Sequence, residues 1–190
     1  MNIVEMDTVV GKIENKKCLL TLYIRKMHFM LIFLLNKKDS ASVNAKINML
    51  KEKLGITLYS KVFRIFLTDN GTEFFSVLNF ERDLTTGNKV SNIFFCHPYS
   101  SYEKHGVEVN HKYIRRVLPK GTCFDDLTNE TVKRLQDNIN AVPRLSLNGA
   151  TPFDLTKKLY PELIEKLNCD YIEPDNVTLN EDDIIFLKDI

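Results

Sequence analysis

Apolar positions fall into two rhythms along the chain. Residues 2–13 (NIVEMDTVVGKI) are dense in β-branched residues and close near Gly11, which predicts a strand. After the polar turn 14–17, CLLTLYIR (18–25) and HFMLIFLL (28–35) read as two more strands joined by Lys26-Met27. Together they predict an antiparallel meander, its third strand so continuously apolar that it reads as the central one. Then the period changes. Asp39-Ser40 reads as a helix N-cap, and Ala41, Val43, Ile47, Leu50 and Leu54 recur at helical spacing until Gly55 ends the run. VFRIFLT (62–68) is a fourth strand, and a strand that follows a crossover helix usually returns parallel to the sheet.

Further on, NIFFCH (92–97) gives a fifth short strand closed by Pro98. A helix is predicted from Ser101 or Tyr102 to Leu118, stopped by Pro119 and Gly121. Another runs from a cap at Asp125-Asp126 to about Ala141, where Pro143 breaks it. A last one starts at Thr151-Pro152 in the N-cap/N1 pattern and ends near Asn168. The order is that of an α/β fold, a mixed sheet flanked by helices.

The stretch FLTDNGTEFF (66–75) interrupts this reading, because Asn-Gly between apolar runs is a strong hairpin signal. A return strand should alternate, yet Phe74-Phe75 and Val77-Leu78 come as doublets. These fit a short helix with Phe74, Val77 and Leu78 on one face. Asp69 then stands at the carboxyl end of a parallel strand, where α/β sheets place ligand-binding groups.

Composition narrows the class. An apolar fraction of 44% and a charged fraction of 27% describe a soluble globular protein. Glu5, Asp7 and Glu14 argue against a signal peptide, and the run 29–35 is too short to span a bilayer. Cys18, Cys96, Cys123 and Cys169 are scattered, as expected of reduced core thiols in a cytoplasmic protein. The net charge is +1, but from Asp170 onward seven acids face one base, a balance of −6, which leaves +7 on residues 1–169. The body thus suits an anionic partner as well as a solvated surface, and 169–190 reads as a solvated acidic tail.

Three acids stand out. Asp7 lies inside an apolar strand, where a carboxylate is expensive unless paired, hydrogen-bonded or bound to metal. Asp69 closes a strand. Glu108 shares a helix face with His111, Lys112 and Arg115, a single acid among bases. Singly, each has an ordinary reading as an edge-strand acid, a turn residue or a surface ion pair. Glu5 shares Asp7's face and reads as an accessory ligand or, more readily, as a salt bridge to a lysine. His28 and His97 flank strands and read as structural.

Together, VEMDTVVGK (4–12), LTLYIRK (20–26), FLTDNGTEF (66–74), HPYSSYEKHGVEVNHKYIRRVLPKGTCF (97–124) and NINAVPRLSLNGATPFDL (138–155) resemble the catalytic core of the retroviral-integrase superfamily. More narrowly, they resemble the bacterial insertion-sequence transposases of group thirty, which carry a DDE triad. The 38 residues between Asp69 and Glu108, and the following Pro119-Lys120-Gly121, match that family's spacing.

The resemblance implies an RNase H-like fold with a five-stranded mixed sheet, strands one to three antiparallel. It implies a catalytic domain over 1–168, with its core at about 1–145 and a C-terminal helix at about 151–168. Asp7, Asp69 and Glu108 would be both catalytic residues and ligands to two magnesium (or manganese) ions, Asp7 bridging them. Asn70 and Gly71 would shape the backbone beside Asp69. Lys104, His105, Lys112, Arg115, Arg116 and Lys120 would contact DNA phosphates, Lys112 and Arg115 foremost.

The implied activity is DNA transposition, by phosphodiester cleavage and 3′-hydroxyl strand transfer. The implied partners are transposon ends, target DNA and further copies of the chain, with no membrane. Two departures stand beside this. The family's core follows a helix-turn-helix region and this chain begins at the first catalytic strand; and an Asn-x-Arg-Pro-Arg run has Val142 at its first arginine, leaving Pro143-Arg144. A truncated, non-catalytic remnant and a nuclease that only hydrolyses are the alternatives.

Overall fold

In the computed structural model, which describes residues 2–76, 80–83, 85–97 and 100–185, one sheet has the strand order β3-β2-β1-β4-β5. The strands are β1 (Ile3–Val10), β2 (Cys18–Ile24), β3 (Phe29–Leu35), β4 (Ile65–Thr68) and β5 (Asn92–Phe95). The first three form the antiparallel meander, and β4 and β5 add parallel on the other side of β1. Helices α1 (Ser40–Leu54) and α2 (Ile56–Val62) connect β3 to β4. After β5 come α3 (His105–Val117), α4 (Asn129–Ala141), α5 (Pro152–Leu159), α6 (Pro161–Leu167) and α7 (Glu181–Ile185). This is the mixed, helix-flanked sheet expected.

Strand parity divides the core in two. Val4 and Met6 of β1 and Leu20, Leu22 and Ile24 of β2 pack with Ile47 and Leu50 of α1, Phe153 of α5 and Leu163 of α6. On the opposite face, Val9, Leu19, Tyr23, Met30 and Ile32 meet Val107, Ile114 and Val117 of α3 and Leu135 and Ile139 of α4. Successive residues of a strand point to opposite faces, so Glu5 and Asp7 share Val9's side and look toward α3. Burying one such aliphatic side chain contributes roughly 1.5–3 kcal/mol. Two sealed faces therefore outweigh any single polar contact at the sheet's end.

The third strand lies at the edge of the sheet, not at its centre. Its outer side is closed by α4: Met30 N donates to Asn140 Oδ1 at 2.8 Å, Ile32 N donates to Gln136 Oε1 at 2.9 Å, and Asn140 Nδ2 donates to Met30 O at 2.7 Å. A strand covered on both faces is apolar throughout wherever it sits, so hydrophobicity alone could not tell edge from centre. The side-chain amides also hide an edge that could otherwise pair with another chain.

Other boundaries shift for local reasons. Gly55, at φ 73°, ends α1 but lets the chain re-enter a helix at once, so Val62 closes α2 instead of opening a strand. Thr128, not Asp125 or Asp126, caps α4, accepting from Thr131 N at 3.1 Å. Asp125 instead accepts from Lys16 N and Lys17 N, both at 3.1 Å. The last predicted helix is two, because Pro161 cannot donate the hydrogen bond that would carry α5 through Tyr160. The described part of the acidic tail packs on α4: Ile184 is buried, Thr178 N donates to Asn138 Oδ1 at 2.9 Å, and Lys133 pairs with Asp170.

Candidate active site

β4 ends at Thr68, and no hairpin follows: Thr72–Phe74 form a single 3-10 turn with Phe74 buried. Val77 and Leu78, expected on the same helical face, lie outside the described residues. Asp69 Oδ1 accepts from Gly71 N at 3.1 Å, and Asn70 Nδ2 reaches Cys96 O at 3.5 Å. Gly71 has an ordinary φ of −62°. The reason for glycine is room, since a β-carbon there would stand 2.7 Å from Glu73 Oε2 and 3.1 Å from Asp69 Oδ1.

The parallel register brings the first two acids together. Ile3 pairs with Ile65, Val4 with Phe66 and Glu5 with Leu67. The ladder ends there, with Asp7 two residues farther along β1 and Asp69 just past the end of β4. Lys104 joins them. Its ammonium is 3.3 Å from Asp7 Oδ2 and 3.2 Å from Asp69 Oδ2, with its side chain only 6% exposed. Burial works to lower the Lys104 ammonium, but the carboxylates of Asp7 and Asp69 overcome it and hold the group above the ordinary lysine value.

Glu108 arrives on α3, whose start is pinned to the sheet. Glu5 is buried and accepts from Val107 N at 2.6 Å while it pairs with Arg25, which also donates to Glu103 O. A carboxylate at a helix N-terminus satisfies a free N–H and favours the dipole. Gly106 permits the close approach, because a β-carbon there would overlap the Tyr23 ring.

Lys104, Glu108, His111 and Arg115 then form one stripe at helical spacing, and three of the four touch β1 or its partner. Lys104 meets Asp7. His111 Nε2 is 2.9 Å from Thr21 Oγ1, and that hydroxyl, cross-strand from Asp7, donates to Asp7 O at 3.1 Å. Arg115 donates to Val10 O at 3.0 Å and to Leu118 O at 3.3 Å. Glu108 lies on the same side but is exposed, and among the described residues its carboxylate has no hydrogen-bond or ion-pair partner. Among the described residues no three His, Cys, Asp or Glu side chains stand close enough to hold a metal ion. The structure therefore joins two of the three acids through Lys104, and Glu108 stands apart from them, exposed on α3.

The basic residues divide. His105, Lys112, Arg116 and Lys120 are exposed, Arg116 lying 5.2 Å from the centre of the Tyr113 ring. Lys104 sets its ammonium on Asp7 and Asp69, and Arg115, half-buried, donates to the main-chain carbonyls of Val10 and Leu118. Arg144, next to the missing arginine position, stacks 4.2 Å over Tyr113 and donates to Asn110 Oδ1 at 3.1 Å, bracing α3. His97 pairs with Glu103, and His28 adopts a left-handed conformation just before β3.

Three residues here carry more than their sequence showed. Glu5 binds an arginine and a helix end instead of a lysine or a metal. Glu73, buried, accepts from Thr8 Oγ1 at 2.9 Å and pairs with Lys38 at 3.2 Å, beside Asp69's turn. Burial pushes His111 down to about 4, against the pull of Asp7, so it is neutral at pH 7. Glu5 had a usable signal, an acid of the same parity as Asp7 in an apolar strand. Glu73 and His111 had none beyond proximity to the acids.

No protein-family model matches the chain. It is 29% identical over 158 residues to the transposase for insertion sequence element IS4351 of Bacteroides fragilis, covering 82% of this chain and 44% of that protein. It is 31% identical over 154 residues to transposase InsI for insertion sequence element IS30C of Escherichia coli K12, covering 81% and 37%. The chain thus spans less than half the length of these relatives. Among solved structures it superposes on the catalytic core domain of BIV integrase with a TM-score of 0.53 at 18% identity, covering 87% of this chain and 97% of that one. On the HTLV-2 integrase catalytic core domain, solved in complex with magnesium, the TM-score is 0.56 at 17% identity, covering 80% and 94%. The chain is a relative of the insertion-sequence transposases, built on the fold of the integrase catalytic core.

Proposed function

We propose that this chain performs DNA transposition chemistry: hydrolysis of a phosphodiester bond to leave a 3′-hydroxyl, followed by attack of that hydroxyl on target DNA. The observation that carries the reading is the convergence of Asp7 and Asp69, from strands far apart in sequence, on a single cation. That gap already holds a positive charge, and its donors are the hard carboxylate oxygens that magnesium or manganese prefers. Asp7, Asp69 and Glu108 would hold two such ions. When bound, they supply the charge that activates an attacking oxygen and stabilises the leaving one.

The chain's own groups prepare this. The β1–β4 register fixes the two aspartates, and Gly71 N and Thr8 N, each donating to one carboxylate oxygen, orient them. Glu5 and Arg25 hold the helix that presents Glu108. The exposed His105, Lys112, Arg116 and Lys120 meet DNA phosphates, contacts that position a duplex without reading its sequence. We place the catalytic unit at 1–168 with 169–190 appended, in the cytoplasm, working as a homo-oligomer on element ends and target DNA; reading of the ends falls to a segment beyond the core. No helix among the described residues is long and apolar enough to cross a membrane.

The test is a cleavage and joining assay on labelled duplex DNA with magnesium. Asp7→Asn, Asp69→Asn and Glu108→Gln should each slow cleavage by roughly three orders of magnitude while circular dichroism stays that of the parent. Substantial activity in any one of them removes that residue from the assignment. Nicked products without joined ones would reduce the reading to a nuclease.

A further inference from the structure

We propose that Lys104 is an internal counter-cation of the Asp7–Asp69 pair, which leaves when a divalent ion binds and then serves as a phosphate contact. The inference rests on the proposed metal site and adds a residue that competes with it. Its basis is position. Lys104 closes the 3-10 turn Ser101–Lys104 immediately before α3, and its ammonium touches the Oδ2 atoms of both aspartates.

Those are the oxygens a divalent ion would need. An ammonium left within a few ångströms of a doubly charged ion is repelled strongly in a half-buried site. The two cations are therefore alternatives at this pair. Without metal, Lys104 offsets the repulsion between two neighbouring carboxylates and keeps the strand ends together. With metal it has no partner there, and its flexible four-carbon stem can carry the charge outward.

The turn that bears it stays in place through the exchange, because Arg25 donates to Glu103 O and Glu5 accepts from Val107 N. The displaced ammonium then emerges one helical turn before Glu108, where a scissile phosphate would lie.

Manganese binding to the full chain, followed by calorimetry, tests this directly. Lys104→Met should bind manganese roughly tenfold more tightly than the parent. It should also melt lower than the parent in EDTA and regain most of that loss when manganese is added. Lys104→Arg, which keeps the charge, should bind like the parent. The unaltered protein gives a second readout free of folding artefacts: acetylation of Lys104, measured by mass spectrometry, should be slow in EDTA and several-fold faster with manganese.

Equal or weaker binding in Lys104→Met, or unchanged acetylation, overturns the exchange. If binding is still lost in Asp7→Asn, the metal site itself stands. Saturable binding that Asp7→Asn and Asp69→Asn leave intact, or no binding in any form, removes the metal site and the exchange together.

Discussion

Of the three acids proposed for the site, Asp7 and Asp69 stand on or beside strands of the sheet, and Glu108 stands on a helix. Asp7 lies in β1 and Asp69 one residue past β4, two strands paired in parallel up to Glu5 and Leu67, and Lys104 bridges the two carboxylates. A slip by one residue would turn Asp7 into the opposite core, so hydrophobic parity protects its position. Glu108 has no such guarantee. Its place depends on where α3 lands, and beside its apolar face α3 is held by a few polar or close contacts: Glu5 at Val107 N, Tyr23 under Gly106, His111 on Thr21 and Arg115 on Val10. The carboxylates of the sheet half are charge-compensated by Lys104, whereas Glu108 on the helix half is exposed.

The contrast breaks most severely at Glu5. Glu5→Ala removes a buried carboxylate that serves both Val107 N and Arg25, itself 38% exposed, and losing a charged acceptor of this kind costs roughly 2–3 kcal/mol. Urea denaturation should show that loss. Limited proteolysis near residues 100–106 should show the start of α3 loosened while the meander stays protected. A variant as stable as the parent would mean that the helix is held by its apolar face alone.

These two halves also differ in how far the sequence reveals them. The strands, their antiparallel start and the parallel return were legible because apolar runs and a crossover helix leave few topologies. Asp7 and Asp69 were legible for the same reason: an acid among buried residues and an acid at a strand end are anomalies. The clamp on α3 was not, because nothing in the spacing of Glu5, Arg25 and Gly106 says that they meet. Nor was the edge position of β3, since Gln136 and Asn140 look like ordinary polar residues of a helix until they are found closing Ile32 and Met30. Polar residues buried for one specific hydrogen bond are a tertiary fact.

A smaller effect separates the halves by pH. His111, where α3 meets the strand beside Asp7, is pushed down to about 4 by burial, from an ordinary value of 6.5. The folded protein resists a proton that the unfolded chain accepts, so this contribution is complete above about pH 6.5 and falls as the pH drops toward 4. Below that both states are protonated and the loss levels off. Subtracting the urea stability of His111→Gln from that of the parent isolates it from other titrating groups. The difference should shrink between pH 7 and 4.5; a difference independent of pH would mean that the imidazole is not sealed against the sheet.

The smallest effect is the sharpest discriminator. All three acids should be equivalent in activity assays, yet in metal-free buffer they should not be equivalent in stability. Asp7 is bound on both oxygens, by Thr8 N at 2.8 Å and by Lys104 at 3.3 Å, and its side chain is 21% exposed. Asp7→Asn removes one partner of a mostly buried ammonium and should cost about 1 kcal/mol. Glu108 is exposed and its carboxylate has no partner among the described residues, so Glu108→Gln should stay within about 0.5 kcal/mol of the parent. Thermal melts in EDTA would resolve the two. Equal losses would mean that Glu108 is already engaged in the metal-free fold, and the division between a finished sheet half and a waiting helix half would fall.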